Sequence, residues 1–220
     1  KAGTTTAIVG ATGAGKSTII NLINRFYEIN SGDILIDGIN IKEFTLSSLR
    51  DQIGFVSQEI HLFSDTILHN ITLNNRNISF ELVKKASIEI GIHDFIKSLP
   101  EGYNYNVRER GIMLSTGQRQ LISFLRAYVT DPKILILDEA TSSIDTDSEI
   151  LIQKAIERMT DDRTSLIIAH RLSTIRNADN IIVMNSGKIV EQGNHNDLLS
   201  INGYYKKLYE TQLKNQQKSN

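Results

Sequence analysis

The sequence predicts an α/β fold, a mostly parallel sheet with helices on both faces and a helical segment inserted into it. Three observations point there. An apolar run, a glycine-rich loop and an amphipathic stretch open the chain as strand, loop and helix. After Pro132, apolar runs alternate with helix-period stretches, the pattern of a parallel sheet covered on both sides. Between these parts, residues 72–130 show helical periodicity and no convincing strand, which marks them as an inserted subdomain.

Residues 4–9 read as a short buried strand. The loop Gly10-Ala11-Thr12-Gly13-Ala14-Gly15 follows, and from Ser17 the residues Ile19, Ile20, Leu22, Ile23 and Phe26 recur at helical spacing. Residues 33–36 and 53–56 read as further strands, with Ser31-Gly32 and Asp37-Gly38 as turns and 46–50 as a short helix. A helix is expected at 80–90, where Leu82, Val83, Ala86 and Ile90 share a face. Another is expected at 117–129, where Leu121, Ile122, Phe124, Leu125 and Tyr128 do. Strands at 134–137, 165–169 and 180–184 alternate with helices at 148–159 and 173–177. A docking helix at 204–213 precedes a polar tail, 214–220, expected to be disordered.

Composition narrows the function. The 220 residues suffice for one large domain with an inserted unit. With 24 Lys and Arg against 25 Asp and Glu, the formal charge is −1. The broad positive field of sequence-independent nucleic-acid binding is therefore missing, and no nucleic acid is expected as a partner. The chain has no Cys, which excludes disulfides, thiolate nucleophiles and Cys-ligated metals and fits a reducing compartment. No apolar run approaches the roughly 20 residues of a membrane span, and the opening residues lack the pattern of a signal peptide. The chain is expected to be soluble as an isolated fragment. It opens on Lys1 and enters a strand at once, as a piece of a longer protein would.

Gly10-x-x-x-x-Gly15-Lys16-Ser17 fits the P-loop pattern in its required setting, after a strand and opening a helix. Glycines let backbone N–H groups turn toward phosphate oxygens, and the helix N-terminus adds positive potential. Lys16 supplies a mobile charge and Ser17 offers a hydroxyl to Mg²⁺. The nucleotide-binding stretch is Gly10, Ala11, Thr12, Gly13, Ala14, Gly15, Lys16, Ser17 and Thr18. The strand at 134–137 ends in two carboxylates, Asp138 and Glu139, at the edge where parallel sheets bind ligands. Asp138 is assigned to the metal and Glu139 to the attacking water as general base. On its own such a pair would be a solvated turn.

Leu114-Ser115-Thr116-Gly117-Gln118 lies between these two sites. Together with Gln58, Asp138-Glu139, Ser142-Ser143-Ile144-Asp145 and His170, in that family's order, it makes the chain resemble the nucleotide-binding domain of an ATP-binding cassette transporter over nearly its whole length. The resemblance implies a P-loop NTPase (RecA-like) core at 1–71 and 131–213, a helical subdomain at 72–130 that carries the signature, and an N-terminal β portion that is truncated. It implies ATP and Mg²⁺, and two cassettes paired head to tail as a homo- or heterodimer, each signature completing the other's site. Glu139, His170, Lys16 and Gln58 then form the catalytic set, and Ser17, Gln58 and Asp138 the metal set. Asp145 resembles the residue that reaches across the dimer. Read from the residues alone, Ser115 is more often a helix cap and His170 usually a structural histidine, Gln58 has a surface amide as its alternative, and Asp145 is equally the cap of the next helix.

Glu139-Ala140-Thr141-Ser142, Ala169-His170-Arg171-Leu172-Ser173-Thr174 and the run from Gln58 to Ile67 resemble exporters. That resemblance implies ATP-driven export through attached transmembrane domains, at the cytoplasmic face of the cell membrane. Leu62, Phe63 and Ile67 are expected to form part of an apolar groove for a membrane-domain helix, with core packing as the alternative. Residues 107–111 resemble the exporter loop ahead of the signature, with Arg108 where that loop usually has Gly. Thr116 replaces the signature's usual second Gly-type residue and is expected to be tolerated. The aromatic residue on which the family stacks adenine belongs to an upstream stretch this chain lacks. A kinase or GTPase would need an acceptor site or an Asn-Lys-x-Asp motif, and neither is found. Glu139 opposes a switch that binds nucleotide without hydrolysing it.

Overall fold

The structure, a computed structural model, describes residues 1–138, 144–169 and 171–219, with side chains through residue 214. Strand β1 (Thr5–Gly10) buries Ala7, Ile8 and Val9, and helix α1 (Lys16–Ile23) follows the glycine-rich loop. A hairpin of β2 (Leu35–Ile36) and β3 (Ile39–Asn40), then the short helix α2 (Leu46–Asp51), lead into β4 (Ile53–Val56). The helices α3 (Ile67–Thr72), α4 (Phe80–Glu89), α5 (His93–Ser98) and α6 (Thr116–Tyr128) come next. Thr66, Ser79 and Ser115 start three of them, each side-chain oxygen accepting from the N–H three residues on. Then β5 (Ile134–Asp138), α7 (Thr146–Thr160), β6 (Thr164–Ile168), α8 (Leu172–Asn177) and β7 (Asn180–Asn185) alternate. The elements β8 (Lys188–Gly193), α9 (His195–Ser200) and α10 (Tyr204–Ser219) follow.

Six strands form one sheet in the order β4-β5-β6-β1-β7-β8, parallel throughout except for the final β7–β8 pair. Strand alternation sorts the core onto its two faces. Ala7, Val9, Leu135, Leu137, Ile167 and Val183 join a large cluster with Leu121, Leu125, Ile152 and Ile156 of α6 and α7. Ile136 and Ile168 face the other way, against Ile20 of α1 and Leu49 of α2. Each such fully buried Leu or Ile contributes about 1.5–3 kcal/mol, so both helical layers are held by the sheet. Because β1, β4, β5 and β6 are parallel, their C-terminal ends share one edge. Gly10 of β1 pairs opposite Met184, and Asp138 of β5 opposite Ile168, both at that edge.

The expected strands and long helices are present, with four differences. Strand β8 was not expected, because Ile189 and Val190 are consecutive and both exposed, which breaks the alternation a half-buried strand displays. The six-residue helices α3, α5 and α9 were not among the expected elements. The strand expected at 33–36 contracts to Leu35–Ile36. Helix α10 runs to Ser219, through most of the stretch expected to be disordered. The Glu191 carboxylate anchors its start by accepting from the N–H groups of Tyr204 and Tyr205, and the Lys and Gln residues beyond favour helix.

Candidate functional site

The P-loop residues sit at the shared strand edge. A Cβ on Gly10 would run into the carbonyl oxygen of Met184 on β7, so the loop can leave the sheet here only from a glycine. Helix α1 opens at Gly15, in the left-handed region, with no side chain capping its first turn. Its leading N–H groups are therefore available to an anion, and the helix dipole favours one. Lys16 is only 8% exposed, and its Nζ donates to the carbonyls of Gly10 at 2.9 Å and Ala11 at 3.0 Å. Burial lowers the pKa of this ammonium, and the Asp138 carboxylate pulls it back up.

Thr12, Gly13, Gly15, Lys16, Ser17, Thr18, Gln58, Asp138 and Ile168 line one cavity of about 280 Å³. Sequence reasoning named all of them except Ile168, whose apolar side chain carried no chemical signal. Ser17 Oγ donates to Asp138 Oδ2 over 3.4 Å, a long bond that brings a hydroxyl and a carboxylate to one wall. With the Gln58 amide they are hard oxygen donors, few in number. That set fits Mg²⁺, which keeps several waters and shares phosphate oxygens with a nucleotide. Ala11 contributes its carbonyl, whereas Ala14 is buried against Ile8 and Met184 and shapes the loop from behind. Glu139 and His170 lie outside the described residues, as do Ser142 and Ser143.

The signature residues lie away from this cavity, at the start of α6. Ser115 Oγ accepts from Gln118 N at 3.2 Å and Gln118 Oε1 accepts from Ser115 N at 2.9 Å, a reciprocal cap. Thr116 has a partner for its extra hydroxyl, which accepts from Arg119 at 3.0 Å, while Arg119 also donates to the carbonyl of Leu114 at 3.2 Å. Gly117 is needed for packing: a Cβ there would lie 2.5 Å from Ser148 Cβ and 2.8 Å from Ile144 Cγ2, so α6 rests directly on the start of α7. Asp145 caps α7, accepting from Ser148 N at 2.8 Å. Ser148 and the nearby Ser115 hydroxyl hold its carboxyl below the usual carboxylate range.

The groove expected at Leu62, Phe63 and Ile67 needs correction. Leu62 and Ile67 are buried in the large core cluster, and only Phe63 is exposed, at 58%. Apolar residues after a glutamine read alike whether they face a groove or the core, and here Ile67 at the start of α3 and Leu62 in the segment before it both pack inward. A groove of about 660 Å³ opens instead beside the edge strand β4, between Phe26, Arg50 and Phe55 on one side and Ile78 and Leu82 on the other. Phe26 and Phe55 meet edge to face with centroids 6.0 Å apart, and the Arg50 guanidinium lies 5.3 Å over Phe26.

Among the described residues no helix is long and apolar enough to cross a membrane. The family model for ABC transporters matches residues 1–142. The chain is 54% identical over 211 residues to the uncharacterized ABC transporter ATP-binding protein YknV of Bacillus subtilis, covering 96% of this chain and 35% of that protein. It is 52% identical over 210 residues to a Staphylococcus aureus protein named as a multidrug export ATP-binding/permease protein, covering 96% and 36%. A solved structure of a bacterial Atm1-family ABC exporter with ATP bound superposes with a TM-score of 0.88 at 44% identity, covering 96% of this chain and 37% of that one. The chain thus spans little more than a third of the length of these relatives. The chain is a member of the ABC transporter family, an ATP-binding domain of the exporter type.

Proposed function

We propose that this chain binds MgATP in the Lys16–Asp138 cavity and hydrolyses it as one half of a head-to-tail pair of cassettes, driving export through transmembrane domains at the cytoplasmic face of the membrane. The convergence of Lys16, Ser17, Gln58 and Asp138 on one cavity at the sheet edge carries this reading. Lys16 exchanges its two carbonyl partners for phosphate oxygens, and the uncapped N–H groups of α1 receive others. Ser17, Asp138 and Gln58 would hold Mg²⁺, which when bound neutralises charge building on the transferred phosphoryl group. Glu139 accepts the proton of the attacking water and His170 donates a hydrogen bond to the γ-phosphate. Ser115 and the first amides of α6 serve the partner's ATP, with Asp145 close to the same interface. Residues 72–130 act as a helical subdomain that turns against the core, and the groove beside β4 receives a helix of the transmembrane domain.

The test is phosphate release from MgATP measured against protein concentration, with Glu139→Gln as a parallel sample followed by light scattering. The expected result is activity that rises more steeply than linearly with concentration, is lost in the variant, and is replaced there by a dimer that ATP holds together. A linear rate that survives the substitution would remove both the general base and the composite site.

A further inference from the structure

Gln58 lines the nucleotide cavity, and the chain runs on from it through His61 and Phe63 into α3. The signature residue Ser115 caps one end of α6, and Arg126 stands in that helix's last turn. One guanidinium joins the two stretches. Arg126 donates from Nε to the carbonyl of Asn70 at 2.7 Å, from one terminal nitrogen to the carbonyl of His61 at 3.0 Å, and from the other to Asn70 Oδ1 at 3.2 Å. Asn70 is fully buried and binds the same stretch to itself. Its Oδ1 accepts from Phe63 N at 2.8 Å, and its Nδ2 donates to the carbonyls of Phe63 and Thr66, each at 3.0 Å.

All three Arg126 bonds end on uncharged oxygens, and the side chain is half-buried. A planar guanidinium holds several acceptors at once in that setting, which a lysine ammonium on its flexible stem cannot reproduce. Arg126 also lines the groove beside β4. Helix α6 puts about 16 Å of rigid rod between Arg126 and the signature residue Ser115.

We infer that Arg126 is a positioning residue that fastens the 61–70 stretch to α6, so that the segment following Gln58 and the signature at Ser115 move as one body. The inference rests on the proposed pairing of cassettes, in which Ser115 serves the partner's nucleotide. A displacement at the groove then reaches the partner's site along α6, where otherwise the loop between β4 and α3 would absorb it. Arg126 touches neither nucleotide nor reacting atoms, and its effect is exerted on the other chain.

Mixed dimers test this. A Lys16→Ala chain serves a wild-type chain only through its signature, so it raises phosphate release per wild-type chain when added where the wild type alone is dilute. Placing Arg126→Lys in that Lys16→Ala chain lowers the stimulation about tenfold, the worth of one lost charge-assisted hydrogen bond. The KM for ATP of the wild-type chain stays the same. Ser115→Ala in the same background separates the two readings. If Ser115→Ala leaves the stimulation intact, the pairing itself is wrong. If Ser115→Ala abolishes it and Arg126→Lys does not lower it, the pairing stands and the clamp is overturned. Should Arg126→Lys not fold, amide hydrogen exchange on the unmodified protein decides. ATP-driven pairing slows residues 61–70 and α6 together if they are one body, and slowing confined to α6 refutes the inference.

Discussion

Replacing Arg108 with glycine is expected to stabilise the protein, although the change deletes a side chain and loosens the unfolded chain. Arg108 has φ 61° and ψ −172°, a region populated essentially by glycine that costs other residues about 1–3 kcal/mol. The surroundings hold it there. Its N–H donates to Asn106 Oδ1 at 2.9 Å, and its carbonyl accepts from Gly111 N at 3.1 Å. The preceding Val107 is fully buried, and its N–H donates to the Asp65 carbonyl at 3.0 Å. The Arg108 side chain is exposed, so trimming it uncovers no core. Against the strain released stands the added freedom of glycine in the unfolded chain, about 0.5–1 kcal/mol. The net gain is about 1 kcal/mol, or about 2–4 °C in melting temperature for a chain of this size. Urea and thermal unfolding of the wild type, Arg108→Gly and Arg108→Ala would measure it. Alanine keeps the Cβ and therefore the strain, so it isolates the backbone effect from loss of the guanidinium. If glycine proves no more stable than alanine, the strain argument is wrong.

Gly117→Ala sets a methyl 2.5 Å from Ser148 Cβ, and forcing α6 off α7 costs about 1–3 kcal/mol. Adding Ser148→Gly removes that clash and restores part of the loss, read as a shift in the urea midpoint. Asp131 is held below the ordinary carboxylate range, first by its 2.7 Å hydrogen bond from Arg163 and then by Lys133. Its lowered pKa adds stability above the unfolded value, and that stability is lost as pH falls through the folded value. Asp131→Asn is therefore less stable at pH 7, by at most about 1 kcal/mol for so exposed a pair, and unfolding titrations in strong acid should find the deficit gone. ATP at about 100 times its Kd raises apparent stability by about 2.7 kcal/mol. Scanning calorimetry should find that increase in the wild type and not in Lys16→Ala.

What was legible in the sequence was what repeats or converges locally. Strand β1, the glycine loop and α1 announce themselves through an apolar run, φ-permissive residues and a helical stripe that follow one another without a gap. Helix α6 was readable because eight of its residues are buried along its length. Some short elements gave no such signal. Thr66 and Asn194 cap α3 and α9, and a reader attentive to caps would have found both helices where periodicity finds neither. Residues of the glycine loop, Asp138 and Gln58 line one cavity, because a parallel sheet brings its strand ends together. Arg126 was missed, since its partners are 56 and 65 positions away and an arginine in a helix's last turn looks like dipole compensation. Leu62 and Ile67 follow the core-packing alternative, since inward and outward Leu and Ile are told apart by tertiary packing alone.

The sheet order also governs how the molecule is made. Strand β1 is the first to be synthesised, yet its two neighbours are β6 and β7, with Thr5 opposite Ser165 and Thr6 opposite Asn180. At about 5–20 residues per second on a ribosome, the wait between these pairing partners is about 10–35 s. Until β6 is made, an apolar segment with both edges unpaired is in reach of chaperones and of other nascent chains. Translation halted before residue 164 would therefore leave β1 with neither neighbour, an aggregation-prone polypeptide, so the finished site depends on completing most of this stretch of message.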